Sequence, residues 1–178
     1  MRHTFSIHIV GFSAQEVSDL IVGCDPRFSR VMVDEVPEIV SLVAGPPTLV
    51  PGHPTLWTRA IHYELDPMVW EPLKALLKVA APGMVRYTDT VVYRSDLPGW
   101  DFATKCAATQ GMLATTEVRG GGRVYDDGPL GARIEYEVHV ACQLPLVGRL
   151  VERVVADTFE RTCQRLPQVM QRYFCLAD

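Results

Sequence analysis

Apolar and polar residues alternate from the start of the chain. Phe5, Ile7 and Ile9 fall on one face of an extended segment, and Thr4, Ser6 and His8 on the other. That period of two predicts a half-buried strand over Thr4–Val10. The pattern then turns helical. Ser13, with Glu16 three residues on, forms a capping box, Phe12 and Val17 can staple the helix start, and Gly23 is placed to end the helix in the left-handed conformation. A second short helix or turn follows at Pro26–Arg30. Strands are predicted at Pro37–Ala44, Thr55–Leu65, Met84–Arg94 and Trp100–Ala108, each bounded by Gly, Pro or Asp. Between the third and fourth strands, Val69, Trp70, Leu73, Leu76 and Leu77 recur at helical spacing, with Lys74 and Lys78 on the other side. This predicts an amphipathic connecting helix over Pro67–Val79. Leu113–Asp126 reads as a sixth strand interrupted at Gly120–Gly122, either by a wide bulge or by a hairpin tip. After a turn at Asp127-Gly128, Ala132–Cys142 is the seventh strand.

The chain closes on a long amphipathic helix, from about Arg149 to Tyr173. Val151, Val154, Val155, Phe159, Cys163, Leu166, Val169, Met170 and Tyr173 fall on one broad arc. Arg149, Arg153, Asp157, Glu160, Gln164, Gln168 and Gln171 fall on the opposite one. The apolar stripe is wider than a coiled-coil seam, so a sheet, not a single partner helix, is expected to cover it. Pro167 removes one internal hydrogen bond and is expected to kink or loosen the last turns. The elements together predict an α+β fold, with a curved antiparallel sheet of seven strands wrapped around the C-terminal helix.

Composition narrows the classes of function. At 178 residues the chain suits one domain with a substantial core. A formal net charge of −4 leaves no basic excess to displace counterions, so nucleic acid is not an expected partner. No apolar run approaches the roughly 20 residues that span a bilayer. The alternating start lacks the apolar stretch of a signal peptide, and a cytoplasmic protein is expected. Transient membrane contact stays open, as does the oligomeric state. Five cysteines, odd in number and never spaced C-x-x-C, suit reduced thiols better than a disulfide framework.

The order strand, two short helices, six more strands and a long helix resembles the helix-grip fold of the START and birch-pollen-allergen superfamily, also called SRPBCC. The resemblance sharpens at Leu65-Asp66-Pro67 through Leu76-Leu77, at Pro82-Gly83 and Tyr87-Thr88-Asp89-Thr90, and at Leu144-Pro145-Leu146-Val147-Gly148 running into Leu150-Val151-Glu152-Arg153. These stretches are similar to an uncharacterised, mainly actinobacterial family of that superfamily. The resemblance implies a pocket for a hydrophobic ligand and brings no catalytic residues with it. Gly120–Gly122 and Pro167 depart from the expected pattern.

Strand parity names the residues that face the helix. Trp57, Arg59, Ile61 and Tyr63 share one face of the third strand; Trp100, Phe102 and Thr104 share one face of the fifth; Tyr136 points inward from the last. Aromatic residues with a polar handle orient a mostly apolar ligand, although each could equally fill a core. Arg59 in this apolar register needs a partner: a ligand carboxylate or phosphate, Glu152 or an Asp, unless a local bulge turns it outward. Glu152 near Phe159 on the last helix could gate the cavity mouth, pair with an arginine, or simply complement the helix dipole. The hydroxyls of Thr158 and Thr162 could meet a ligand or bond back to the preceding turn. Parity sends His8, His62 and His139 outward, with His8 and His139 as cross-strand neighbours. No metal or cofactor is expected, because the sequence contains no phosphate loop, dinucleotide fingerprint or metal-ligand spacing. The expected ligand-binding set is Trp57, Arg59, Tyr63, Trp100, Phe102, Tyr136, Glu152 and Phe159. The leading expectation is non-catalytic binding or transport of a lipid, sterol-like or polyketide compound. A cyclase- or hydratase-type enzyme using the same cavity is the alternative, and an interaction module with a collapsed cavity is the third reading.

Overall fold

The structure, a computed structural model, describes residues 1–66, 85–106, 115–129 and 131–175. The alternating start forms β1 (Arg2–Val10). Two ten-residue helices follow, α1 (Ala14–Gly23) and α2 (Pro26–Glu35). The strands β2 (Ile39–Ala44), β3 (Thr48–Leu49), β4 (Leu56–Leu65), β5 (Val85–Arg94), β6 (Leu97–Cys106), β7 (Thr116–Asp126) and β8 (Gly131–Cys142) come next. The chain ends in α3 (Gly148–Cys163) and α4 (Leu166–Cys175). The connecting helix expected at Pro67–Val79 lies outside the described residues.

Among the described residues all pairings are antiparallel, in the order β1-β8-β7-β6-β5-β4-β2, with the two-residue β3 also on β4. The sheet therefore has eight strands where seven were expected. β3 was missed because two residues are too few to show a period. The curved sheet holds the C-terminal helix, which is the helix-grip architecture. The expected apolar arc is the buried one: Val151, Val169 and Met170 are fully buried, and Arg153, Asp157 and Gln164 are exposed.

Local chemistry sets the helix boundaries. The capping box is present, with Ser13 N–H donating to Glu16 Oε2 at 2.8 Å and Glu16 N–H to Ser13 Oγ at 3.3 Å. The left-handed residue that ends α1 is Cys24 (φ 41°), not Gly23, and its N–H closes on Leu20 O. α2 extends past the expected Arg30 to Glu35. Asp25 caps it by accepting from the N–H groups of Arg27 and Phe28, both at 2.8 Å, with Pro26 in the first turn. The single helix expected from Arg149 to Tyr173 is bent into two. The break falls at Gln164–Arg165, which places Pro167 in the first turn of α4, where its missing N–H leaves no bond unmade.

Gly120–Gly122 is neither a bulge nor a tip. The three residues sit inside β7 in unbroken register, Gly120 between Phe102 and Val138, and Gly122 between Trp100 and Tyr136. Their purpose is space. A Cβ on Gly122 would stand 2.7 Å from the Trp100 indole, and one on Gly120 would stand 2.3 Å from Glu137 O and 3.2 Å from the Phe102 ring. The missing side chains let both aromatic rings lie against the strand backbone. The expected pairing of His8 with His139 is also corrected, since His8 sits opposite Arg133 and His139 opposite Arg2. The two strands do pair, shifted from the expected register.

Gly120→Ala is expected to destabilise the fold by about 1–3 kcal/mol, the usual range for overpacking, because backbone on β8 cannot give way. Gly23→Ala meets nothing within 4 Å and, at a helical position, is expected to add about 0.4–1 kcal/mol. Urea midpoints of the two variants should move in opposite directions.

Candidate functional site

A cavity of about 230 Å³ lies between the inner face of the sheet and α3, with α1, α2 and the start of α4 along its rim. The strand rows explain its walls. In one row Trp100 on β6 meets Gly122 and then Tyr136, which is paired with Phe5. In the next, Val91 meets Phe102, which meets Gly120. Phe159 descends from α3 into this wall. Its ring stacks on Phe102 at 5.4 Å between centroids and meets Tyr136 edge-on at 5.8 Å, while Tyr136 stacks on Phe5 at 4.9 Å.

The polar groups lie in the rows beyond. Asp89 on β5 pairs with Ile61 on one side and Thr104 on the other. Tyr63 Oη donates to Asp89 Oδ1 at 2.9 Å, and the Thr104 hydroxyl donates to the same oxygen. Burial pushes the Asp89 carboxyl above its ordinary value, against the pull of the Thr104 and Tyr63 hydrogen bonds. Burial likewise raises the phenol of Tyr63, reinforced by the neighbouring Asp89, and that of Tyr87, whose ring stacks on Tyr63 at 5.7 Å. On the helix side, burial raises the Cys163 thiol and the Tyr136 phenol, which face each other. Glu38, at the entrance to β2, also lines the cavity. It is only 6% exposed, and its Oε2 has no hydrogen-bond partner among the described residues.

Of the eight residues expected to bind ligand, the cavity brings together Tyr63, Trp100, Phe102, Tyr136 and Phe159. Trp57, Arg59 and Glu152 lie outside its lining. Trp57 shares the inward face but pairs with Leu49 of β3 at the sheet margin. Arg59 is partnered by backbone. Its Nε and Nη2 reach Gly45 O at 3.1 and 2.6 Å, and its Nη1 reaches Val22 O at 2.7 Å and also Gly23 O. The last carbonyls of a helix lack internal partners and carry its negative end, so a guanidinium is their natural cap. Arg59 thus ties α1 to the β2–β4 edge. Glu152 accepts the Cys142 N–H at 3.0 Å, which holds its carboxyl below the ordinary range. Thr162 and Thr158 both line the cavity, and Thr158 Oγ1 also accepts from Arg161.

Asp89, Thr104, Tyr87 and Glu38 were absent from the expected set. The alternation Tyr87, Asp89, Val91 was available to reveal three inward residues of β5. Glu38 left no such signal, because it precedes β2 and so lies outside the alternating pattern of that strand.

Compared with solved structures, the chain takes the fold of a START superfamily protein and of an aromatase/cyclase. It is similar to a protein from Thermus thermophilus (TM-score 0.64, 12% identity, covering 100% of this chain and 99% of that one). It is also similar to a START superfamily protein from Mycobacterium smegmatis (0.59, 13%, covering 96% and 97%) and to the Zhui aromatase/cyclase from a Streptomyces species (0.60, 10%, covering 100% and 94%). At these identities the likeness is one of fold. Residues 72–174 match the family described as "Protein of unknown function (DUF2505)", and the chain belongs to that family. No curated protein sequence matches it. Among the described residues no helix is long and apolar enough to cross a membrane.

The Asp89 setting makes a prediction with a definite sign. Unfolded, this carboxyl titrates near its ordinary 3.8; folded, it titrates higher. Stability that depends on the neutral acid is complete below the unfolded value and is lost as pH rises through the folded one. Asp89→Asn has no such proton to lose. As pH rises above about 4, wild-type unfolding free energy should therefore fall relative to Asp89→Asn until the folded carboxyl has ionised. Denaturant melts with parallel pH slopes for the two proteins would contradict the burial of this group.

Proposed function

We propose that this protein binds and carries a hydrophobic small molecule, of lipid, sterol-like or polyketide kind, in the cavity between the sheet and α3, without transforming it. The observation that carries this reading is the cavity wall: aromatic and aliphatic along most of its extent, with a few convergent polar groups at set positions. Such a lining is the usual form of a small-molecule site. In this reading Trp100, Phe102, Tyr136 and Phe159 contact the apolar body of the guest, and Tyr63 meets it beside Asp89. Trp57, Arg59 and Glu152 support the frame around them. Folds shared with a START superfamily protein and an aromatase/cyclase agree with a guest of this kind. A cavity of about 230 Å³ stands against a collapsed interaction module. Cytoplasmic carriage, with transient contact at membranes, suits such a role.

Asp89 favours a second reading, in which the same cavity performs acid–base chemistry. A carboxyl set in a mostly apolar cavity, with its pKa raised above the ordinary value, is the type of group such chemistry needs.

Native mass spectrometry of the protein purified from its own host, together with titration by the uncharged dye Nile red, tests the carrier. Val155 lines the cavity from α3, and Val155→Trp should fill it. A co-purifying apolar molecule is expected, with Nile red binding weakened at least tenfold in the variant. Absence of both a guest and dye binding in the wild type would sink the proposal. A mass change in the guest on incubation, lost in Asp89→Asn, would select the enzyme instead.

A further inference from the structure

The cavity's polar groups also limit what the guest can be. Two carboxylates line it, Glu38 and Asp89, and no Lys, Arg or His does so among the described residues. They do not form one acidic cluster. Glu38 O accepts the Asp66 N–H at 3.0 Å, whereas Asp89 is in register with Ile61, five residues back along β4. That is a separation of about 16 Å along the strand. Asp89 has its own donors in Tyr63 and Thr104. Glu38 has an oxygen, Oε2, that is buried and without a partner among the described residues. A buried acceptor left unmatched is costly, and an ionised one more so. Arg59, which strand parity aimed inward, is spent on the carbonyls of Val22, Gly23 and Gly45.

We propose that the guest is an apolar molecule whose polar end donates a hydrogen bond to Glu38 from an amine or a hydroxyl, and that carboxylic acids are excluded. This rests on the binding function proposed above. An amine or an alcohol satisfies Glu38 Oε2 directly, and an amine also balances the charge. A fatty-acid carboxylate would bring a third acidic group into a low-dielectric space where no described residue offers a cation to meet it.

Isothermal titration of the full chain at about pH 7, where an alkylamine is charged and a carboxylic acid ionised, with decylamine, 1-decanol and decanoate decides the matter. Each is used below its micellar concentration, with Nile red as an uncharged reference. Decylamine or 1-decanol should bind at least about tenfold more tightly than decanoate, the scale of one charge-assisted hydrogen bond. Glu38→Leu should abolish that preference, and a denaturant melt checks that the variant stays folded, since replacing a buried acid by a packed apolar residue is well tolerated. Glu38→Gln separates charge from acceptor: it should lose the preference for the amine and keep that for the alcohol. Decanoate binding as tightly as the other two, or a preference unchanged in Glu38→Leu, would overturn the inference while leaving the carrier function standing. Failure of all three compounds and of Nile red would instead overturn the carrier function.

Discussion

Phe159 projects from the middle of α3 into the hollow of the sheet, and its contacts decide where the cavity can be. The ring is held between Phe102 on β6 and Tyr136 on β8, and Tyr136 is held in turn by Phe5 on β1. Four elements therefore converge on one aromatic side chain. Aromatic pairs at these separations contribute beyond the area they bury and do so only in particular orientations. The contact fixes the height of the helix above the sheet as well as its existence. The three consecutive glycines of β7 serve the same contact from below. With a Cβ at Gly120 or Gly122, Phe102 and Trp100 would be lifted off the strand, and the helix with them. Packed on the β8 and β1 side and held at that height, the middle of the helix leaves a space over the inner face of the sheet, from β4 across to β8, for the cavity.

The rim is secured by a different kind of interaction. α4 turns at Gln164–Arg165 and docks on α2, where Tyr173 Oη donates to the capping residue Asp25 at 2.5 Å and Arg27 stacks over the Tyr173 ring at 4.4 Å. Arg165 donates to the last carbonyl of α2, Glu35 O, at 3.1 Å, and Arg172 pairs with the Glu35 carboxylate. Both ends of α2 are thus tied to α4, and the end of α1 is tied to the sheet edge by Arg59. The helices that border the cavity are anchored by polar contacts at their termini. Their apolar residues Ile21, Phe28 and Met32 face the cavity, and Phe28 and Met32 also belong to the buried core.

The features visible in the sequence were those set by short-range chemistry. Period-two alternation located β1, β4, β6 and β8, and their faces, because a strand's side chains have nowhere else to point. The capping box marked the start of α1, and the apolar arc gave the face of α3 and α4. What strand parity could not supply was position along the face. Trp57, Arg59 and Tyr63 share one side of β4, yet only Tyr63 reaches the cavity, because α1 and β3 cover the other end of the strand. That depends on packing between residues far apart in sequence. The glycine run was misread for a related reason: three glycines in isolation suggest a turn, and only the aromatic neighbours across β6 show them to be a platform. Pro167 was understood in kind, but the break precedes it, because proline is comfortable in a first turn and so begins the new helix.

Asp89 and Glu38 are the residues that a purely stabilising design would not contain. Most of the inner face around them is apolar or aromatic, and a leucine at either position would satisfy the packing without desolvating an acid. Burial raises the Asp89 carboxyl even though two hydroxyls are directed at it, so the hydrogen bonds do not fully offset the loss of water. Among the described residues Glu38 lacks even that compensation at Oε2. Local departures from good folding practice concentrate where a structure serves something other than its own stability. Here two such departures border one cavity, and both are acids. An apolar wall alone would accept any greasy molecule of suitable size. A wall with a buried, unmatched acceptor discriminates, because a guest without a donor leaves that acceptor unsatisfied and a guest with one does not. The difference between carrying hydrophobic molecules in general and carrying a particular kind therefore rests less on the aromatic residues that shape the cavity than on the acids that interrupt it.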